Sequence, residues 1–307
     1  MGTNTFHLLL AEVDPKGYRI LLRDHQAVRI GMAGINEGFI NSEACCRAID
    51  AMSTFKKIID QNGITDIHAY GTSAFRNARN GRDLAKDIEN HTGIHIRIVS
   101  GDEEADFIFA GIREGIDLTD EVSLVMDIGA GSVECIIGNA NTLFWKQSFE
   151  IGGQRLLEKF QKHDPILPEE IRALDLCFDE TLKPLFDALS KHQPVTLVGS
   201  SGSFDTLSDI FSFRREIPRT SDEVETPLTM DGFYEIYLEL ITKNREARLK
   251  MPGMISLRVD MIVVACCLIR YVIEKHSFAN IRVSTYSLKE GVLAGLAEEV
   301  RRLYGTG

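Results

Sequence analysis

The chain has 307 residues, enough for two domains of ordinary size, in the composition of a soluble globular protein. Its net charge of −11 argues against nucleic-acid binding, and any polyanion must be held by a local pocket against the overall field. Six cysteines without a Cys-x-x-Cys, beside scattered histidines, read as buried reduced thiols of a cytoplasmic protein and exclude a zinc site. Leu8-Leu9-Leu10 is too short for a signal-peptide core and Met261 to Ile269 too short for a span, so no membrane association is expected.

In chain order, Gly2-Thr3-Asn4-Thr5 is a turn that leads into a strand, Phe6 to Val13. Asp14-Pro15-Lys16-Gly17 and Tyr18 to Arg23 complete a β-hairpin, and Ala27 to Ile30 reads as a further strand. Ser42 is the expected cap of a helix ending near Gly63, with Cys45, Ala48, Ile49, Met52 and Ile59 on one face. Asp66 to Tyr70 is a short strand. The small-residue turn Gly71-Thr72-Ser73-Ala74 follows at its carboxyl end, where α/β sheets bind ligands. Arg76 and Arg79 come next and suit phosphate oxygens, the alternative being a solvated basic surface. A helix (Arg82 to Asn90) and a strand (Ile94 to Val99) lead to Ser100-Gly101-Asp102-Glu103, a capping box. That gives Glu103 a structural job. Glu104 has none: it shares a helical row with Gly101, Ile108, Gly111 and Gly115, a bare face open to approach, and is the expected chemically active carboxylate.

A second half starts near Thr119. Val122 to Met126 is a buried-strand pattern ending in Asp127; a turn with Gly129 and Gly131 follows, then a strand from Val133 to Ile137. Glycines let backbone N–H groups approach an anion, and the carboxylates of Asp127 and Glu134 suit Mg²⁺ or Ca²⁺. The stretch reads as a metal-plus-phosphate cradle, with an ordinary tight hairpin as the alternative. Its turn, Gly129-Ala130-Gly131-Ser132, parallels Gly2-Thr3-Asn4-Thr5 in outline, which suggests two related lobes offering phosphate loops to a shared cleft. Thr142 to Phe149 is a third strand, and Arg155 enters a helix after Gly152-Gly153. Pro165 to Ser190 is a helical hairpin or one long helix, and Pro194 to Val198 a strand. Gly199-Ser200-Ser201-Gly202-Ser203 then opens a helix as an anion site. Phe211 to Thr226 reads as a polar loop, Arg258 as the start of an apolar helix after Met251-Pro252-Gly253, Ile281 to Ser284 as a last strand and Leu288 to Leu303 as a last helix.

Five of these pieces, in this order, resemble the exopolyphosphatase / guanosine-pentaphosphate phosphatase (Ppx/GppA) family in its short two-domain form. They are Gly2-Thr3-Asn4-Thr5-Phe6-His7, Thr72-Ser73-Ala74-Phe75-Arg76-Asn77-Ala78, Ser100-Gly101-Asp102-Glu103-Glu104-Ala105, Asp127-Ile128-Gly129-Ala130-Gly131-Ser132-Val133-Glu134 and Gly199-Ser200-Ser201-Gly202. Arg258 and Ser287-Leu288-Lys289-Glu290-Gly291 extend the likeness to nearly the whole chain. The resemblance implies an α/β fold of two actin/hexokinase/Hsp70-like (ribonuclease H-like) lobes flanking a cleft, here 1–118 and 119–307. It implies Mg²⁺-dependent hydrolysis of the terminal phosphate of inorganic polyphosphate or of guanosine pentaphosphate. By position, Glu104 matches the catalytic base, and Asp127 and Glu134 match the metal-binding acids. Gly2, Thr3, Asn4, Thr5, Ser73, Arg76, Gly129, Gly131, Ser132, Gly199 and Ser200 match phosphate-binding elements, and Arg258 a substrate-binding arginine.

Three departures stand out. The family's first motif follows an aspartate, so a strand ending in that residue is expected ahead of Met1. Ala130 stands where glycine is usual, and Lys289 replaces an arginine, keeping the charge without the bidentate fork. The expected chemistry is charge neutralisation, positioning and a water oriented by Glu104, with Arg29, Arg79, Arg155, Arg258 and Lys289 guiding the rest of the polyanion. Rival readings are a sugar- or acetate-kinase-like phosphotransferase and a non-catalytic actin-like protein. The sequence leaves a homodimer open.

Overall fold

The structure, a computed structural model, describes residues 1–220 and 222–305. Ser221, inside the segment read as a polar loop, and residues 306–307 at the end of the second expected lobe lie outside the described residues. By packing, the chain divides into two units: Met1–Glu104 with the segment from Val292 onward, and Ala105–Gly291. The division therefore falls after Glu104 rather than at 118/119, and the second expected lobe gives up its last helix from Val292 on.

The first unit opens with β1 (Thr5–Asp14) and β2 (Gly17–Ala27), an antiparallel hairpin that pairs Thr5 with Ala27 at one end and Asp14 with Gly17 at the other, its register shifting by one residue between Leu10 and Ala11. Phe6, Leu8 and Leu10 alternate onto the buried face, and Asp14 closes the turn by accepting the N–H groups of Lys16 and Gly17. The strand expected at 27–30 does not form. Arg29 adopts a left-handed φ of 52° that breaks the ladder, and its N–H turns to the carbonyl of Asn4. The helix α1 (Ser42–Gln61) is capped by Asn41, whose side chain accepts from the Ala44 N–H at 2.8 Å, one residue ahead of the expected Ser42. β3 (Ala69–Gly71) is shorter than expected, the polar Asp66 and His68 pairing with each other ahead of it. α2 (Ser73–Asn77) occupies part of the expected turn; α3 (Gly81–Thr92) ends at Gly93 with φ 72°, and β4 (Ile96–Ile98) pairs parallel with β3. α4 (Gly101–Gly115) begins with the expected capping box: Ser100 and Glu103 exchange backbone-to-side-chain hydrogen bonds, both 3.1 Å. A core of Phe6, Ile30, Ala48, Phe55, Phe75, Leu84 and Ile88 joins the hairpin, α1 and α3.

In the second unit β5 (Ser123–Ile128), β6 (Val133–Gly138) and β7 (Leu143–Phe149) form an antiparallel meander. The helices α5 (Gly153–Phe160), α6 (Pro168–Thr181) and α7 (Lys183–His192) follow; the stretch read as a hairpin or one helix is two helices parted at Leu182. β8 (Thr196–Ser200) runs into α8 (Ser201–Arg214). That helix takes the first residues of the expected loop, because Phe211 and Ser212 are buried. Then come β9 (Glu225–Thr226), α9 (Met230–Thr242), α10 (Arg245–Leu249) and α11 (Met261–Lys275). Arg258 precedes α11 instead of starting it, in a turn closed by its N–H on the carbonyl of Ile255. β10 (Asn280–Ser284) and α12 (Leu288–Tyr304) complete the chain. The sheet order is β7-β6-β5-β8-β10-β9, with β5, β8 and β10 parallel. Leu124, Met126 and Ile128 face the larger core with α6, α8 and α11, while Val125, Ile136 and Val198 face Ile108, Phe109 and Ile112 of α4.

Candidate active site

The first unit offers a turn and a carboxylate. Gly2 donates its N–H to the carbonyl of Thr5 at 3.0 Å, and a Cβ on Gly2 would lie 3.2 Å from that oxygen. Thr3, Asn4 and Thr5 are all buried. Their Oγ1, Nδ2 and Oγ1 atoms lie out of solvent with no hydrogen-bond partner. Buried polar groups are normally met, so three in succession signal a ligand surface. Glu104, only 6% exposed, stands one residue past the capping glutamate on α4. Arg76, at the end of the short α2, donates to its Oε2 at 2.8 Å and to the carbonyl of Val99 at 3.1 Å, fixing the carboxylate against a guanidinium. Arg76 is thus committed to Glu104, and the hydroxyl of Ser73 takes the Asn77 amide at 3.2 Å. Glu103 is held below the usual carboxylate range by the Ser100 N–H and by Arg97.

The second unit carries a polar row at the carboxyl ends of β5, β8 and β10. Ser148, Glu134, Asp127, Ser200, Ser284 and Glu225 occupy one register row across β7-β6-β5-β8-β10-β9. Asp127 is 4% exposed and Glu134 1%. Both share the α4 side of the sheet, since their neighbours Val125 and Ile136 pack there. Three hydroxyls serve Asp127: Ser200 at 2.7 Å, Ser201 at 2.7 Å to both oxygens, and Ser287 at 2.5 Å. Ser148 donates to Glu134 at 2.7 Å. Like charges directly opposite on a sheet repel, which a cation relieves. The donors around the pair are all oxygen, and Mg²⁺ takes one or two carboxylates and completes its shell with waters and phosphate oxygens, so the residues fit that ion. Among the described residues no cluster of three or more His, Cys, Asp or Glu offers a fuller metal cage.

Beside the row, Gly129 donates its N–H to the carbonyl of Ser132 at 3.1 Å, the same closure as in the Gly2 turn. The carbonyls of Gly129, Ala130 and Gly131 accept from Gly153, Gln154 and Gly152 at the start of α5, and Arg155 adds its Nε to Gly131 at 2.8 Å. This close approach demands glycine at 152, where a Cβ would lie 2.4 Å from Ala130. Arg155 therefore braces the turn. The guanidinium of Arg258 lies over Gly202, where a Cβ would come within 2.3 Å of it. Burial lowers the Arg258 pKa, while Asp205 and Asp127 work against that.

Ser148, Ser201, Ser287 and Asp205 escaped sequence reasoning. The register of Ser148 with Glu134 signals the first only once strands are paired, while Ser201 and Ser287 lie within motifs read for Gly199 and Ser200 and for Lys289. The bare α4 face is not open at Gly111 and Gly115. The carbonyl of Ser287 would meet a Cβ on Gly111 at 2.0 Å, and Tyr286 covers Gly115.

The sequence profile of the Ppx/GppA phosphatase family matches residues 9–300. A solved exopolyphosphatase from Cytophaga hutchinsonii ATCC 33406 is 41% identical, covers 100% of this chain and 98% of its own, and superposes with a TM-score of 0.94. Exopolyphosphatase 1 of Mycobacterium tuberculosis is 23% identical over 295 residues, 95% of this chain and 85% of its own. The bifunctional 3-dehydroquinate synthase/phosphatase of Fusobacterium nucleatum is 29% identical over 289 residues, and this chain spans only 42% of its length. The fold is α/β, as expected, and is the one that solved Ppx/GppA structures share.

Proposed function

The chain belongs to the Ppx/GppA phosphatase family, and on that premise we propose that it is an exopolyphosphatase, removing the terminal phosphate of inorganic polyphosphate with a water activated by Glu104. The observation that carries this reading is the run of buried, unmet polar atoms on Thr3, Asn4 and Thr5, in the unit that also holds Glu104 on Arg76. Such atoms suit phosphoryl oxygens. Glu104 orients the attacking water and takes its proton, work that typically contributes about 10²–10⁴-fold. Arg76 keeps the carboxylate from rotating away. In the second unit the Gly129–Ser132 turn and the first turn of α8, from Ser201 to Ser203, offer backbone N–H groups to phosphate oxygens, and Arg258 adds a charge. Mg²⁺ bound at Asp127 and Glu134 would neutralise charge on the phosphoryl group. Ser200, Ser201 and Ser287 hold Asp127 in one orientation for that purpose.

In this reading the enzyme works in the cytoplasm, in keeping with six unpaired cysteines; no described helix is long and apolar enough to cross a membrane. The test is orthophosphate release from polyphosphate and from guanosine pentaphosphate, side by side with Mg²⁺. Faster release from polyphosphate supports the proposal. Faster release from the nucleotide would reassign the substrate, and phosphate transfer from ATP to a sugar without hydrolysis would overturn it.

A further inference from the structure

One acidic side chain of the second unit has no part in the reaction above. Asp205 lies on α8 one turn beyond Gly202, and its Oδ1 is out of solvent with no hydrogen-bond partner. Arg258, drawn over Gly202, has its Nε in the same condition. Both belong to one electrostatic cluster with Lys289, Asp209 and Asp127. Asp209 is paired with Arg219 at 3.0 Å and Lys289 with Glu290 at 3.1 Å. An unmet buried acceptor beside an unmet buried donor is costly unless a ligand meets both.

A ligand that meets both must accept from a guanidinium and donate to a carboxylate. Phosphate oxygens accept, and a phosphoryl group that retains a proton also donates. Orthophosphate keeps a proton throughout the neutral range; sulfate and a fully ionised phosphate chain end have none. We propose that Asp205 and Arg258, with Lys289 as a second cation, form a subsite for a protonated phosphoryl group, orthophosphate foremost, and that it rejects sulfate. The inference rests on the phosphate-binding reading of this site and adds to it a preference for the released product. Asp127 and Asp209 favour the protonated ligand further, because they repel a fully ionised one. Burial pushes the Asp205 carboxyl up to about 7, opposed by Lys289 and Arg258 and helped by Asp209 and Asp127. At about pH 8.5 it is therefore mainly an acceptor.

The test is calorimetric titration of the full chain with orthophosphate, sulfate and tripolyphosphate at about pH 8.5, Mg²⁺ held constant. We expect orthophosphate to bind about tenfold or more tighter than sulfate, since a site built for a hydrogen bond rejects the analogue lacking the proton. Asp205→Asn, whose amide donates, erases that preference by strengthening sulfate binding; Arg258→Lys weakens both anions. Melting curves confirm folding, and Asp205→Ser replaces Asp205→Asn if the amide variant is unfolded. Equal affinity for orthophosphate and sulfate in the parent overturns the proposal. So does an unchanged preference in both Asp205 variants, or a response confined to tripolyphosphate. Phosphate release is measured separately. Its failure with anion selectivity intact would sink the hydrolase reading and leave this subsite standing.

Discussion

Gly202→Ala separates function from folding. The new Cβ would fall 2.3 Å from one nitrogen of Arg258 and 2.5 Å from its Cζ and Nε. The guanidinium must retreat by about 1 Å to reach ordinary contact, and a misplacement of that size costs up to about 10²-fold in an active site. The obstruction is the end of a flexible side chain, so the fold loses little. A helical alanine gains up to about 1 kcal/mol over glycine. The tight contact returns about 1–3 kcal/mol at most. We expect a melting temperature close to the parent's and kcat/KM for tripolyphosphate down by about 10–100-fold, chiefly through KM. Gly199→Ala is the control. There the Cβ meets the ring of Phe204 at 2.0 Å; that ring is fully buried and cannot retreat, so stability falls by about 3 kcal/mol or more. Thermal melts and steady-state phosphate release check both variants. A Gly202→Ala enzyme with unchanged kcat and KM would refute the placing of Arg258 on substrate.

Asp127→Asn and Glu134→Gln should each raise the Mg²⁺ concentration needed for half-maximal rate, a deficit that shrinks at high Mg²⁺; a parent rate indifferent to EDTA would remove the metal from the account. Arg155→Ala loses its bond to the Gly131 carbonyl, about 0.5–1.5 kcal/mol, and should raise KM more than it lowers kcat; a change confined to kcat speaks against a bracing role. Burial pushes the Glu170 carboxyl up, but the N–H groups of Leu167 and Lys162 and the His163 side chain outweigh it and hold it low. A depressed carboxylate stabilises the fold above its unfolded value near about 4.3 and loses that contribution as pH falls through the folded one. Glu170→Gln should therefore melt lower at neutral pH and show a shallower decline in acid; parallel melting curves would contradict this.

Some of the site was legible because local chemistry decides it. Ser100 and Glu103 form a box by spacing alone, which left Glu104 to be explained and singled it out. Asp127 closes an apolar run, and a tight turn sets Glu134 opposite it. The likeness of the two glycine turns, drawn from residue types, reappears as the same bond from first N–H to fourth carbonyl. Contacts between distant segments were not legible. Nothing near Gly111 announces that Ser287 covers it, or that Ser287 donates to Asp127 across 160 positions. Arg155 looked like a free cation until the fold set it on Gly131. Asn41 and Ser42 are both good caps, and only geometry chooses between them. The strand expected after Ala27 yields to the left-handed Arg29, a conformation composition does not reveal.

The central claim is that Glu104, rather than its neighbour, activates water for phosphoanhydride hydrolysis. The direct measurement is orthophosphate release from polyphosphate, with Mg²⁺, by the parent, Glu104→Gln and Glu103→Gln. Glu104→Gln should fold normally and lose about 10²–10⁴-fold in kcat, because an amide takes no proton from water. Glu103→Gln should stay within a few-fold of the parent, since glutamine completes the same capping box. Equal losses at the two positions, or a Glu104→Gln protein that still releases phosphate at the parent rate, would contradict the account.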